Sequence, residues 1–228
     1  NMKEVHGTAN VSILASKFMV EGPIVENKAS FMLSGRRTYI DLIVNPIIAS
    51  INKQDPDITT DPRYFFYDLN GKVNWRVGER DRVYLSFFNG KDDFGLASTE
   101  RFGVSQSSID FGLDWFNSVA AARWNHEWTP KLFSNLTVTR SEYTFNTGIE
   151  FSETENTASD STTQQINSLY RSGIVDHAAR MDFNYALNNA HYLRFGGNMT
   201  LHRFNPGATT FQAEFGQEFP GIDTTLGA

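Results

Sequence analysis

Asp92–Gly95, DDFG, has the residue types with which kinases hold the magnesium of ATP. That chemistry also needs a glycine-rich phosphate loop and an H-R-D catalytic loop, and neither accompanies it, so the stretch reads as a strand end entering a loop. GVSQS (103–107) lacks the final glycine of a nucleophile elbow and any helix after it. Three carboxylates gather in DPDITTD (55–61). An EF-hand would need glycine where Thr60 stands and a closing glutamate where Phe66 stands, leaving a solvated acidic loop, with a looser calcium site as the alternative. The histidines His6, His126, His177, His191 and His202 form no HExxH motif and no close pair. If adjacent strands bring His177 and His202 together, a hydrogen bond is expected rather than a metal. NLT (135–137) and NMT (198–200) fit the glycosylation pattern but fall inside strand-like segments. Asp176 and Asp182 alternate with Arg180, and Arg194 follows. Paired carboxylates serve acid–base catalysis, but a charge ladder on a wet surface explains the same residues. No catalytic residue, cofactor or metal ligand is assigned.

Composition narrows the alternatives. The 228 residues contain no cysteine, which excludes disulfides, thiolate catalysis and cysteine-based metal sites. The net charge of −6 and the lack of a basic stripe argue against nucleic acid as a partner. Aromatic residues make up 14% of the chain although its mean hydropathy is polar. Rings in a polar chain suit alternating strands. No apolar run nears the ~20 residues of a membrane helix; LIVNPIIASI comes closest and contains Pro46. Barrel strands escape that test, because ~9–11 residues with one apolar face suffice. Residue 1 opens no signal peptide, so the expectation is that the chain begins downstream of its true start.

Strand-like segments run over about 8–21, 30–44, 64–77, 82–90, 108–128, 132–151, 169–187 and 191–204. Tight connections are expected at 21–28, 78–81, 129–131 and 188–190, and long polar ones at 45–62, around 91–107 and at 152–165. The segment 205–228 starts another excursion. No helix is expected beyond a short turn in 45–52.

Alternation divides each strand. Phe65, Tyr67, Leu69, Val73 and Trp75 oppose Phe66, Asp68, Asn70, Lys72 and Asn74. Met181, Phe183 and Tyr185 oppose Asp176, Arg180 and Asp182; Phe195 and Met199 oppose Arg194 and Asn198. Arg36 and Arg37 must face opposite ways unless a bulge intervenes, with the inward one undetermined. A β-sandwich would turn the apolar faces inward and a membrane barrel would turn them outward. Rings at both strand ends, Tyr64–Phe66 with Trp75 and Trp124 with Trp128, favour interfacial girdles and the barrel.

The segments EGPIVENKASFMLSGRRTYIDLI (21–43), YFFYDLNGKVNWRVGERDRVYLSFFNGKDDF (64–94), AAARWNHEWTPKLFSNLTVTRSEYTF (120–145) and SGIVDHAARMDFNYALNNAHYLRFGGNMTLHRFNPG (172–207) resemble successive hairpins of TonB-dependent outer-membrane transporters of the Bacteroidota type. The resemblance implies a barrel of about 22 strands around a plug, pulled on by a periplasmic TonB-type energy coupler through an N-terminal box. A surface lipoprotein is a further candidate partner. With about eight or nine strands, no plug, no box and no terminal aromatic strand, residues 1–228 are expected to be one barrel segment.

The expectation is therefore an all-β, antiparallel up-and-down meander with short periplasmic turns and long extracellular loops, in the outer membrane. Asp68, Asn70, Lys72, Asn74, Asp176, Arg180, Asp182, Arg194 and Asn198 are assigned to the lumen. Phe65, Tyr67, Leu69, Trp75, Trp124, Trp128, Phe183, Tyr185 and Phe195 are assigned to lipid or its girdles. Two further readings stand: a soluble carbohydrate-binding module recognising sugars through aromatics, and a β-sandwich hydrolase.

Overall fold

The computed structural model describes residues 3–156, 160–215 and 224–227. Much of FPGIDTTLGA, in which no terminal aromatic strand was expected, lies outside them. One antiparallel sheet dominates, and every strand pairs with its neighbours in the chain: β1 His6–Val11, β2 Ala15–Val25, β3 Ala29–Thr38, β4 Ile58–Arg76, β5 Asp81–Phe102, β6 Ser105–Thr129, β7 Leu132–Asn156, β8 Ser161–Ala186, β9 Tyr192–Glu214 and β10 Thr224–Gly227. A helix, α1, spans Ile40–Asn52 between β3 and β4. The all-β meander expected from the sequence is the observed fold.

Local chemistry closes each expected tight turn. Asn27 takes φ 55 at the β2–β3 turn. Val77 and Gly78 donate to the Asp81 carbonyl at 3.1 and 3.4 Å. Thr129 Oγ1 accepts from the amides of Lys131 and Leu132, and Asn188 Oδ1 from those of Ala190 and His191.

Several boundaries differ from the sequence reading, among them the start of β4, which begins at Ile58 inside the expected 45–62 connection. Segment 8–21 is two strands, because the Ser12 hydroxyl both donates to the Ala15 carbonyl and accepts from its amide, making a turn without glycine or proline. The polar segments 91–107 and 152–165 are mostly strand. β5 and β6 meet at Gly103, whose φ of +63 suits a residue without Cβ. β9 likewise runs on through 205–214. Finally, 40–52 is helical despite Pro46, whose missing N–H leaves the Leu42 carbonyl without its helical donor. Tyr39 provides no side-chain cap, so the N-cap signal is missing at the start.

Among the described residues the sheet encloses no apolar core. Ala29 is the one buried hydrophobic residue, while Trp75, Leu85, Phe195, Met199 and Leu201 are half or more exposed. A compact monomer of 25.8 kDa should expose ~10,000 Å²; this chain exposes 15691 Å². Part of that excess is the exposed side chains of large hydrophobic residues such as Trp75, Leu85, Phe195, Met199 and Leu201.

The tight-turn ends are staggered. The row through Arg76, at the end of β4, meets Asn125 in β6 and Asp182 in β8. Those strands continue to Thr129 and Ala186, a step of ~14 Å at ~3.4 Å per residue. Averaged over the four strand spacings of ~4.8 Å from β4 to β8 that is a slope of about 35°, in the range of strand tilts in barrels, with the whole step falling between β4 and β6.

Candidate functional site

The two faces of the sheet form the candidate site, and the register fixes their membership. Asp68, Asn70, Lys72 and Asn74 on β4 pair with Arg36, Ser34, Met32 and Ser30 on β3 and with Gly90, Phe88, Ser86 and Tyr84 on β5. Following the same rows through β6 and β7 reaches Asp176, Arg180 and Asp182 on β8, then Asn198 on β9; Arg194 joins them opposite Asn184. All nine residues assigned to the lumen therefore share one face, called here the Asp68 face. Phe65, Tyr67, Leu69, Trp75, Trp124, Phe183, Tyr185 and Phe195 share the other, the Leu69 face. Trp128 joins it beyond a register shift between Glu127 and Thr129, donating through Nε1 to Ser134 Oγ at 3.0 Å.

Ion pairs order the Asp68 face. Arg36 reaches Asp68 with two nitrogens at 2.7 Å and lies 4.8 Å from the Phe66 ring. Arg37 points the other way, 5.6 Å from the Phe65 ring and 3.8 Å from Asp41 on α1, so the adjacent arginines split between the faces without a bulge. Arg180 grips Asp182 through two bonds of 2.7 and 3.0 Å, and Asp176 bonds His202 Nδ1 at 2.8 Å. His177 and His202 are not partners: His177 pairs with Leu201 on the opposite face. Asn135, Asn184, Arg194 and Asn198 complete a polar recess of about 640 Å³ around the Arg180–Asp182 pair. Each of Asp68, Asp176 and Asp182 is thus engaged by a basic side chain. Among the described residues no cluster of three or more His, Asp or Glu side chains is arranged to hold a metal ion.

Sequence reading missed a change of polarity along the strands. Toward the tight turns the Asp68 face is polar and the Leu69 face apolar. Toward the long-excursion end the two exchange character. There the Asp68 face carries Tyr64, Phe66, Phe94 and Phe111, linked edge to face at 6.2–6.5 Å, and the Phe145–Tyr170 pair at 6.3 Å. The Leu69 face carries Lys91–Asp93 at 3.0 Å, Arg63–Asp110 at 3.2 Å and Asn146–Asp114 at 3.0 Å. Strict alternation hides this swap within one strand; only the cross-strand register shows it.

Rings bound the apolar part of the Leu69 face. Phe65 and Tyr67 sit at its upper limit, Tyr67 Oη bonding Asn89 at 3.3 Å. Trp75, Trp124 and Trp128 sit near the tight turns, with Phe183 and Phe195 stacked at 5.1 Å. Beside the 77–80 turn, Asp81 bonds His126 Nδ1 at 2.7 Å and accepts from Trp124 Nε1 at 2.8 Å. The hydrogen bond to His126, then that from Trp124, holds the Asp81 carboxyl below its ordinary range.

No protein-family model matches the chain, and no curated protein matches its sequence. Among solved structures, the chain is distantly similar to the siderophore receptor PirA from Acinetobacter baumannii, with 9% identity and a TM-score of 0.24. That alignment covers 99% of this chain and 63% of the receptor, and is too loose to add to the geometry. No helix among the described residues is long and apolar enough to cross a membrane.

Proposed function

We propose that residues 1–228 form part of the wall of an outer-membrane transport barrel that imports a nutrient such as a glycan, peptide or metal chelate. The polarity swap on the Leu69 face carries this reading. On β4 the face is apolar from Phe65 to Trp75, ~34 Å of strand or ~26 Å once tilted by ~40°, close to the ~25 Å lipid-facing band of membrane barrels; on β5 and β7 the apolar run is shorter and gives way to polar side chains at Asn89 and Arg140. Above it the same face turns charged, as a wall leaving the bilayer for water must. A sandwich would cover this face with a second sheet, and among the described residues all ten strands lie in one.

In this reading the Asp68 face looks into the lumen and the wall is not catalytic: it seals, lines and orients. The remaining strands, a plug domain, a periplasmic TonB-type coupler and a surface lipoprotein are the partners it would need. Brominated or doxyl-labelled lipids test the membrane assignment in the full-length protein. They should quench Trp75, Trp124 and Trp128 and spare Trp115, which lies on the Asp68 face. A chain that stays monomeric in buffer without detergent and binds no micelle would overturn it. Energised uptake of labelled glycans, peptides and metal chelates, with and without the protein, tests transport; no deficit for any of them rejects that half.

A further inference from the structure

Midway up the Leu69 face lies a trough of about 530 Å³, within the ~300–1,000 Å³ of small-molecule sites. Leu85, Ala122, Val138, Ala179 and Met199 form one row of it, each the cross-strand partner of the next, and Leu201 closes the side. The two alanines, between larger neighbours, make the hollow. A plain hollow facing lipid would take any hydrocarbon, but this one has a charged rim at a single end.

Arg140 and His177 are direct cross-strand partners and both line the trough. Arg203 pairs with Val175, one row nearer the charged end, on the strand beside His177. Arg140 is half exposed and bonded to Glu142 at 2.7 Å, while Arg203 and His177 have no hydrogen-bond or ion-pair partner among the described residues. From Leu69 the row holding Arg203 runs Asn89, Ser118, Glu142, Val175, Arg203, so among the described residues Glu142 is the one acid in it and leaves a surplus of positive charge. Arg140 on β7 and Arg203 on β9 stand two strand spacings, ~9.6 Å, apart with His177 of β8 between them, a gap that two arginine side chains can span to hold one tetrahedral anion.

We propose that the trough seats an acyl chain of a membrane lipid whose phosphate headgroup is held by Arg140, His177 and Arg203. The inference rests on the membrane reading of the Leu69 face. Guanidinium groups suit phosphate because their fork matches its oxygens, and cations just above an apolar band meet the headgroup layer. A choline headgroup places a positive charge beside its phosphate and is the poorer fit.

Native mass spectrometry of the full-length protein released from micelles tests this, with phosphatidic acid, phosphatidylcholine and inorganic phosphate as probes. Phosphatidic acid should remain bound where the other two do not. Arg203→Gln, at a site without partners, should weaken retention roughly tenfold, the worth of one charge-assisted contact. Ala122→Phe should abolish retention by filling the trough, leaving the tryptophan quenching pattern unchanged. Equal retention of phosphatidylcholine, binding of inorganic phosphate alone, or indifference to both variants would overturn the proposal. Loss of tryptophan quenching in the unmodified protein would instead reject the membrane reading beneath it.

Discussion

Gly35 lies under the Phe18 ring, and a Cβ built there would meet that ring at 2.6 Å and Leu69 Cδ1 at 3.5 Å. The glycine lets an aromatic ring cover the backbone on the apolar face, a device that pins register in twisted sheets. Gly35→Val should displace the ring and cost about 1–3 kcal/mol, as overpacking does, seen as a lower urea midpoint with an unchanged slope. Leu69 makes a sharper test. Arginine there should cost ~2–4 kcal/mol if Leu69 sits near the bilayer midplane. Asp93→Arg, on the same face but above the band, should stay within about 0.5 kcal/mol apart from its lost contact with Lys91. Equal costs at the two sites would reject the swap of polarity. Asp81 supplies a pH test at the turn end. Its folded-state pKa lies below the ordinary 3.8, so the stability it contributes is present above that value and is lost as pH falls through the lower, folded one. Acid unfolding followed by tryptophan fluorescence should therefore be shallower below pH ~4 in Asp81→Asn than in the native protein.

At the scale of elements, β4 shows how far a sequence speaks. Its two-residue period is uninterrupted from Phe65 to Trp75, and β8 and β9 repeat it, so both faces could be sorted before any pairing was known. The tops of β5 to β8 could not. Beyond the band each strand carries polar residues on one side and scattered rings on the other. Without knowing which strand is the neighbour, such a stretch looks like a loop. The β1–β2 turn hides for a smaller reason, since a single serine hydroxyl does what glycine or proline usually signals. Helix α1 is concealed by Pro46 and an uncapped start, and its acidic first-turn residue Asp41 also pairs with Arg37. The lumen candidates were legible as a face, but the Asp176–His202 bond and the Arg180–Asp182 grip needed the register and the rotamers. Single cysteines on β7 give a check: Val138→Cys should resist water-soluble maleimide in vesicles and Glu142→Cys should react, although both point the same way.

For the whole molecule, the absent core decides behaviour. Among the described residues β1 has a partner on one side only, as has β9 below its pairing with β10. Open edges in lipid leave backbone groups without partners. Residues 1–228 alone should therefore run as mixed oligomers on size exclusion in detergent, and a single sharp monomer would show that the edges are met some other way. The polarity swap has a mechanical consequence as well. Sinking by one row would carry Lys91 and Glu142 toward hydrocarbon, and rising by one would lift Leu33 and Phe87 toward water. The wall thus holds a fixed height with restoring force in both directions. When bilayer thickness changes, the lipid must stretch or thin to meet it, at fractions of a kcal/mol per ångström.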